Sequence, residues 1–105
     1  MTKKSILKDI PKDLKDEFFE DILVSENLQI ERIVSYGHTS PKEGWHNQNK
    51  NEWVILIDGE AIISFKDSDD IKLKKGDYLN IERNVEHKVS WTKPKSETIW
   101  LAIFY

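Results

Sequence analysis

The sequence predicts an all-β barrel or sandwich preceded by one short N-terminal α-helix. Three observations predict it. After Leu28, short apolar runs alternate with clusters of Gly, Asn, Asp and Pro at regular intervals, as in small antiparallel β-domains. An Asp58-Gly59 pair sits between two such runs and gives the strongest short-range hairpin signal in the chain. Before Leu28, one segment shows a helical period instead. A length of 105 residues accommodates one domain with one core. We read residues 1–105 as that unit, with helix over about 11–24 and barrel over about 28–104.

In the helical segment Leu14, Phe18 and Ile22 recur four apart, with Phe19 and Leu23 beside them and Lys and Asp opposite. Pro11 suits a first helical turn, and Asp13, Asp16 and Glu17 suit its positive dipole end. Strands are expected at Leu28–Ser35, Trp45–Gln48, Glu52–Ile57, Ala61–Phe65, Ile71–Leu73, Tyr78–Ile81, Glu86–Trp91 and Thr98–Phe104. The segment Tyr36–Gly44 reads as a loop, and Asn49–Asn51 and Lys66–Asp70 read as polar turns. Both faces of Trp53–Ile57 and of Ile99–Phe104 are apolar, whereas a strand of a small antiparallel barrel keeps one face wet. One short helix covers too little of that surface, so a homodimer is expected.

Composition narrows the partners. The net charge is -3, and of 16 basic residues only Arg32 and Arg83 are arginines, so no clustered guanidinium forks are available to read phosphates. Nucleic acid is not an expected partner. With no cysteine, disulfides and thiolate metal sites are ruled out. Neither a secretory signal nor a run of ~20 apolar residues occurs, so the reading is a soluble, cytoplasmic protein with no membrane partner.

Residues two apart on a strand share a face, so His46 and Gln48 point the same way and Glu52 can meet them after a short turn. Glu52 has Val54 and Leu56 as same-face companions, and His87 has Val89 and Trp91. A carboxylate in an apolar row needs a partner or a metal. Imidazole, amide oxygen and carboxylate are good ligands for a divalent first-row metal. The same residues also read as an exposed strand end and a hydrogen-bonded rim histidine.

These positions carry a resemblance to the cupin superfamily, in its small single-domain form, over about residues 28–104. Its first motif, His-x-His, three or four residues, Glu, six residues, Gly, is matched by His46-Asn-Gln48, Glu52 and Gly59, with Gln48 at the second histidine. Its second motif is matched by Gly76 and His87, with Glu82, Asn84 and Trp91 standing for the family's Pro, Gly and Asn. Asn84 is a mild change, because Asn tolerates the left-handed backbone. The resemblance implies a jelly-roll barrel whose divalent metal (Fe, Mn, Ni or Zn) is held by His46, Gln48, Glu52 and His87. An amide is a weaker ligand than imidazole, so affinity should be reduced. One carboxylate among neutral ligands leaves net positive charge, which implies a small organic ligand of anionic character.

Other residues carry less information. His38, in the Gly/Ser/Pro loop, is a loop histidine or an outer proton carrier. Trp45 and Trp91 flank the expected ligands as an aromatic wall or as core. Arg83 is a turn arginine or a carboxylate clamp, and the orientation of Tyr78 and Asn80 is open. Lys72, Lys74 and Lys75 read as a solvated edge that discourages strand pairing. Two function classes follow. One is a metal-dependent oxygenase, decarboxylase or isomerase acting on a small acid. The other is a non-catalytic binding or sensor barrel with a weak or vestigial metal site. No acid–base pair with contrasting environments is visible to favour catalysis, and the fold alone does not choose.

Overall fold

A computed structural model describes the whole chain, Met1–Tyr105. It contains eight strands: β1 (Phe18–Ser25), β2 (Leu28–Tyr36), β3 (Glu52–Asp58), β4 (Glu60–Phe65), β5 (Ser68–Lys74), β6 (Tyr78–Ile81), β7 (His87–Thr92) and β8 (Glu97–Phe104). They form a five-stranded sheet in the order β1-β2-β8-β3-β6 facing a three-stranded sheet in the order β5-β4-β7, all neighbours antiparallel. The core between the sheets consists of Val54, Leu56, Ala61, Ile63, Leu73, Ile81, Trp100 and Ala102. Strand alternation supplies it: Val54, Leu56, Trp100 and Ala102 are the inward members of β3 and β8.

The expected helix over about 11–24 does not form. Residues 11–17 run as irregular backbone, and Phe18–Ser25 is a strand paired with β2 through the Glu26-Asn27 turn. Two local features oppose the helix. Asp9 and Asp13 hold φ of 54° and 57°, a left-handed conformation that no α-helix contains. Phe18, Phe19, Ile22 and Val24 are aromatic or β-branched, and the free edge of β2 supplies hydrogen bonds that a short isolated helix cannot match. A bulge between Asp21 and Leu23 disturbs the period-two pattern and leaves the spacing helical in the sequence.

Two further expectations change. Trp45–Gln48 is not a strand; the loop pairs with β7 through the isolated bridges Ser40–Val89 and His46–His87. Asp58-Gly59 is not a hairpin within one sheet, because β3 and β4 belong to different sheets and the pair turns the corner between them. Gly59 has φ of 97°, and a Cβ there would lie 2.7 Å from Thr98 Oγ1 and 2.9 Å from the Glu97 carbonyl oxygen. Only glycine fits that corner.

The N-terminal segment crosses the outer face of the large sheet. Arg32, 3% exposed, ties it down: Nη1 donates to the carbonyls of Ile6 (3.2 Å) and Lys8 (2.6 Å), and Nη2 to that of Asp9 (3.2 Å). Glu20 pairs with the same guanidinium at 3.0 Å. Val34 and Ile99, on this outer face, are fully buried. Farther across it, Ile30, Trp53, Ile55, Leu101 and Ile103 stay half-buried. The lysine-bearing strand β5 is an exposed edge, as its composition suggests.

Candidate functional site

The inward face of the barrel becomes polar at one end. Glu52 opens β3 and precedes Val54 and Leu56 on the inner face, as the alternation requires. His87 opens β7 opposite it, 4% exposed. Glu52 Oε1 accepts a hydrogen bond from His87 Nε2 at 3.2 Å and another from Gln48 Nε2 at 3.0 Å. The other nitrogen of His87, Nδ1, donates to the Val85 carbonyl at 2.9 Å. Burial pulls His87 toward the neutral imidazole. The hydrogen bonds to Glu52 and Val85 and the Glu52 charge outweigh it, and the pKa is raised.

His46 is delivered by the loop. Its backbone exchanges two hydrogen bonds with His87, at 2.8 and 3.2 Å, and the two rings lie with centroids 5.7 Å apart. Its Nε2, however, bonds Ser40 Oγ at 3.2 Å, away from Glu52. Part of His46 remains solvent-exposed, yet its surroundings are dense enough to lower its pKa. Desolvation is the largest cause and the neighbouring His87 charge the second, with Glu52 and Glu17 opposing both. The turn before His87 is closed by Asn84, whose φ of 64° is the left-handed conformation anticipated for it. Its N–H donates to the Gln48 carbonyl at 2.8 Å, fixing the two motifs to each other.

The structure therefore gathers Gln48, Glu52 and His87 directly, with His46 adjacent but turned aside. No three of the chain's histidines and carboxylates converge as a metal-ligand set. The distances of 3.0 and 3.2 Å to Glu52 Oε1 are hydrogen bonds, the shorter from the amide nitrogen of Gln48. The donor set fits a divalent ion once the Gln48 amide turns its oxygen inward and His46 leaves Ser40.

These residues border a cavity of about 140 Å³ between the sheets. Its walls are Val54, Ile63, Ile81, Val89, Trp100 and Phe104, with Phe19 at the β1 side. Three residues missed by sequence reasoning face it as well: Glu17, Glu31 and Ser40. Glu31 had a signal, as a charged residue two before Ile33 on one strand face, but which face turns inward is set by pairing with β8. Burial, then the charges of Asp21 and Glu52, raise the pKa of the Glu31 carboxyl.

The remaining expectations settle simply. His38 is structural: Nδ1 accepts the Tyr36 N–H at 2.8 Å, and Nε2 bonds the Lys15 carbonyl at 2.9 Å, anchoring the N-terminal segment. Trp45 and Trp91 do not line the cavity; they pack under the ammonium groups of Lys88 and Lys72, 4.5 and 5.8 Å from the ring centroids. Trp100 is the aromatic wall instead. Arg83 is exposed and bonds only through its backbone N–H, to Asn51 Oδ1 at 2.9 Å. Tyr78 stacks on Trp53 at 5.3 Å, and Asn80 accepts from the Tyr105 hydroxyl at 2.7 Å, both away from the cavity.

Comparison with known proteins agrees with this architecture. No curated protein matches the sequence significantly. Among solved structures, a protein from Ralstonia eutropha JMP134 described as "a putative mannose-6-phosphate isomerase" is 32% identical; the match covers 99% of this chain and 97% of that one, with a TM-score of 0.91. An RmlC-like cupin family protein with a double-stranded β-helix fold from Methanocaldococcus jannaschii is 22% identical, covering 99% and 91%, with a TM-score of 0.73. A cupin superfamily protein from Desulfitobacterium hafniense DCB-2 is 20% identical, covering 90% and 82%, with a TM-score of 0.74. The family model described as "Cupin domain" matches residues 32–104, from the Arg32 anchor to the last strand and through both halves of the polar cluster, and the chain belongs to the cupin family.

Proposed function

We propose that this cupin binds a small organic molecule in the barrel cavity beside a weak divalent-cation site formed by Gln48, Glu52 and His87, with His46 as a fourth donor. The observation that carries the reading is the convergence of the Gln48 amide and the His87 imidazole on Glu52 Oε1, at hydrogen-bond distances of 3.0 and 3.2 Å, on the wall of the cavity. A bound cation would supply Lewis acidity to an oxygen of the ligand. The chain's own residues hold the ligand between Trp100 and Phe104, and keep His46 in the neutral form that a fourth donor requires.

The binding role is favoured over an oxygenase, decarboxylase or isomerase by one feature: the expected ligands are satisfied by one another or by Ser40. Ion entry must break these contacts, which reduces affinity. The half-buried outer residues Trp53, Ile55, Leu101 and Ile103 form a continuous apolar surface across β3 and β8, left open by the N-terminal segment. A second copy of the chain is proposed to cover it.

The test is metal content by elemental mass spectrometry on untagged protein, with zinc and manganese titrated calorimetrically into wild type and His87→Ala. Binding that disappears in the variant supports the site. A folded His87→Ala, Glu52→Ala double variant that retains full metal overturns it.

A further inference from the structure

Away from the barrel interior, we infer that the outer face of the small sheet is a docking surface for an extended acidic segment of a partner protein, with carboxylates at alternate positions. Two tryptophan–lysine pairs build it. On β7, Trp91 lies across from Ile62 of β4, which in turn lies across from Lys72 of β5. The Lys72 stem spans Ile62, and its ammonium sits 5.8 Å from the centre of the Trp91 ring. Two residues farther along β4, Ser64 lies across from Lys88 of β7. Trp45 precedes the His46–His87 bridge and stands beside Lys88, whose ammonium is 4.5 Å from its ring centre. Both pairs point away from the core, because Ile63, Leu73 and Val89 take the inward positions of the same strands.

Edge protection does not account for these lysines. A charge that guards a free edge stays on it. Lys72 instead reaches inward across β4, and Lys88 lies on the strand whose edge the loop already bridges. None of Lys72, Lys74 and Lys88 joins an ion pair of the chain. On the same face Glu60 is held by Lys93 at 3.7 Å. Asp70, at the far end of β5, leaves one unpaired carboxylate against those three ammonium groups. The face is therefore positive on a chain whose net charge is -3.

Charge and spacing name the occupant. Ammonium groups without a carboxylate take one from a partner, and the methylene stems of acidic residues can lie on the rings beneath. The two pairs stand one alternation apart on β4, about 7 Å. An extended chain repeats its side chains on one side at the same interval. Tryptophan is a frequent energetic anchor of protein interfaces, and complementary charge sets orientation and on-rate. A membrane fits less well, because Trp45 and Trp91 are half-buried beneath the ammonium groups and do not project for insertion. Neither arginine of the chain lies on β4, β5 or β7 to fork a phosphate.

The experiment titrates a synthetic peptide alternating glutamate and serine into the full chain. A glutamine–serine analogue and phosphatidylglycerol–phosphatidylcholine vesicles serve as the alternatives. Affinity is measured by calorimetry and location by the indole N–H resonances of Trp45 and Trp91, with Trp100 in the cavity as reference. The acidic peptide should bind saturably, shift Trp45 and Trp91, leave Trp100 unmoved, and weaken as salt is raised. Removing both ammonium groups, in Lys72→Gln with Lys88→Gln, should weaken it about tenfold, and Trp91→Ala comparably. The glutamine–serine peptide binding as tightly, or the lysine double variant binding unchanged, overturns the assignment. So does an acidic peptide that leaves both resonances in place, whether or not the vesicles move them.

Discussion

Glu52 and His87, 35 residues apart in sequence, are joined by a hydrogen bond of 3.2 Å across the interior of the barrel. With Val85 accepting from Nδ1, both imidazole nitrogens face acceptors, so the pair is best satisfied with His87 charged. At the proposed cation site these two groups are the strongest donors, so a metal would compete there with the proton.

That competition has a pH signature in the metal-free protein. His87 has a folded pKa raised above 6.5, so its stabilisation is complete below about pH 6.5 and is lost as pH rises through the folded value. His46 has a lowered pKa and acts in the opposite sense: its share is present above about pH 6.5 and lost as pH falls through its folded value. In His46→Asn the His87 contribution stands alone, and urea melts should show stability declining from pH 6 to pH 9. Adding Glu52→Gln should flatten that decline; a decline that persists undiminished would contradict the pairing.

Replacing the amide at position 48 tests the proposed metal site. Gln48→His restores the family's His-x-His pattern and supplies a stronger donor to first-row metals. Zinc affinity should rise about tenfold or more by calorimetry. An unchanged affinity would place position 48 outside the coordination shell.

Glu31 should cost stability while serving the cavity. Its pKa is raised, so the protonated form suits the fold and the charged form at neutral pH opposes it. Glu31→Gln is expected to raise Tm at pH 7 by a few degrees, with the gain vanishing below about pH 4, where both chains carry a neutral group. Equal melting temperatures at pH 7 would mean that the carboxylate is solvated.

The corner between β3 and β4 is a stability determinant independent of the site. Gly59→Ala places a Cβ within 2.8 Å of Thr98 Cα and forces alanine to φ of 97°. The cost should be about 2–3 kcal/mol in a denaturant melt.

The dimer proposal predicts a mass of two chains by light scattering, and monomers for Leu101→Lys combined with Ile103→Lys, with the far-ultraviolet spectrum retained. A monomeric wild type would leave the outer face open to solvent.

Much of the barrel was legible in the sequence because alternation and turn chemistry are local. The strand cores at Leu28, Glu52, Ala61, Tyr78 and Thr98 lie where the pattern put them, and Glu52 lies inward because Val54 and Leu56 do. Part of the polar cluster was legible as well: Gln48 meets Glu52 as the spacing implied and His87 joins them as the family resemblance implied, while His46 bonds Ser40 instead.

Tertiary pairing decided the rest. Leu14, Phe18 and Ile22 fit a helix by spacing, but the open edge of β2 offered a full ladder of hydrogen bonds and made β1 a strand. Asp58-Gly59 specified a turn and could not specify whether the next strand joined the same sheet or the opposite one. Glu31 became a cavity residue only through its register with Ala102, and His46 was drawn aside by Ser40 through a loop that docks on β7. The sequence by itself determined the residue types and the local periods. The fold decided which sides of those strands face each other, because a strand presents two faces and only long-range pairing selects the one that meets the cavity.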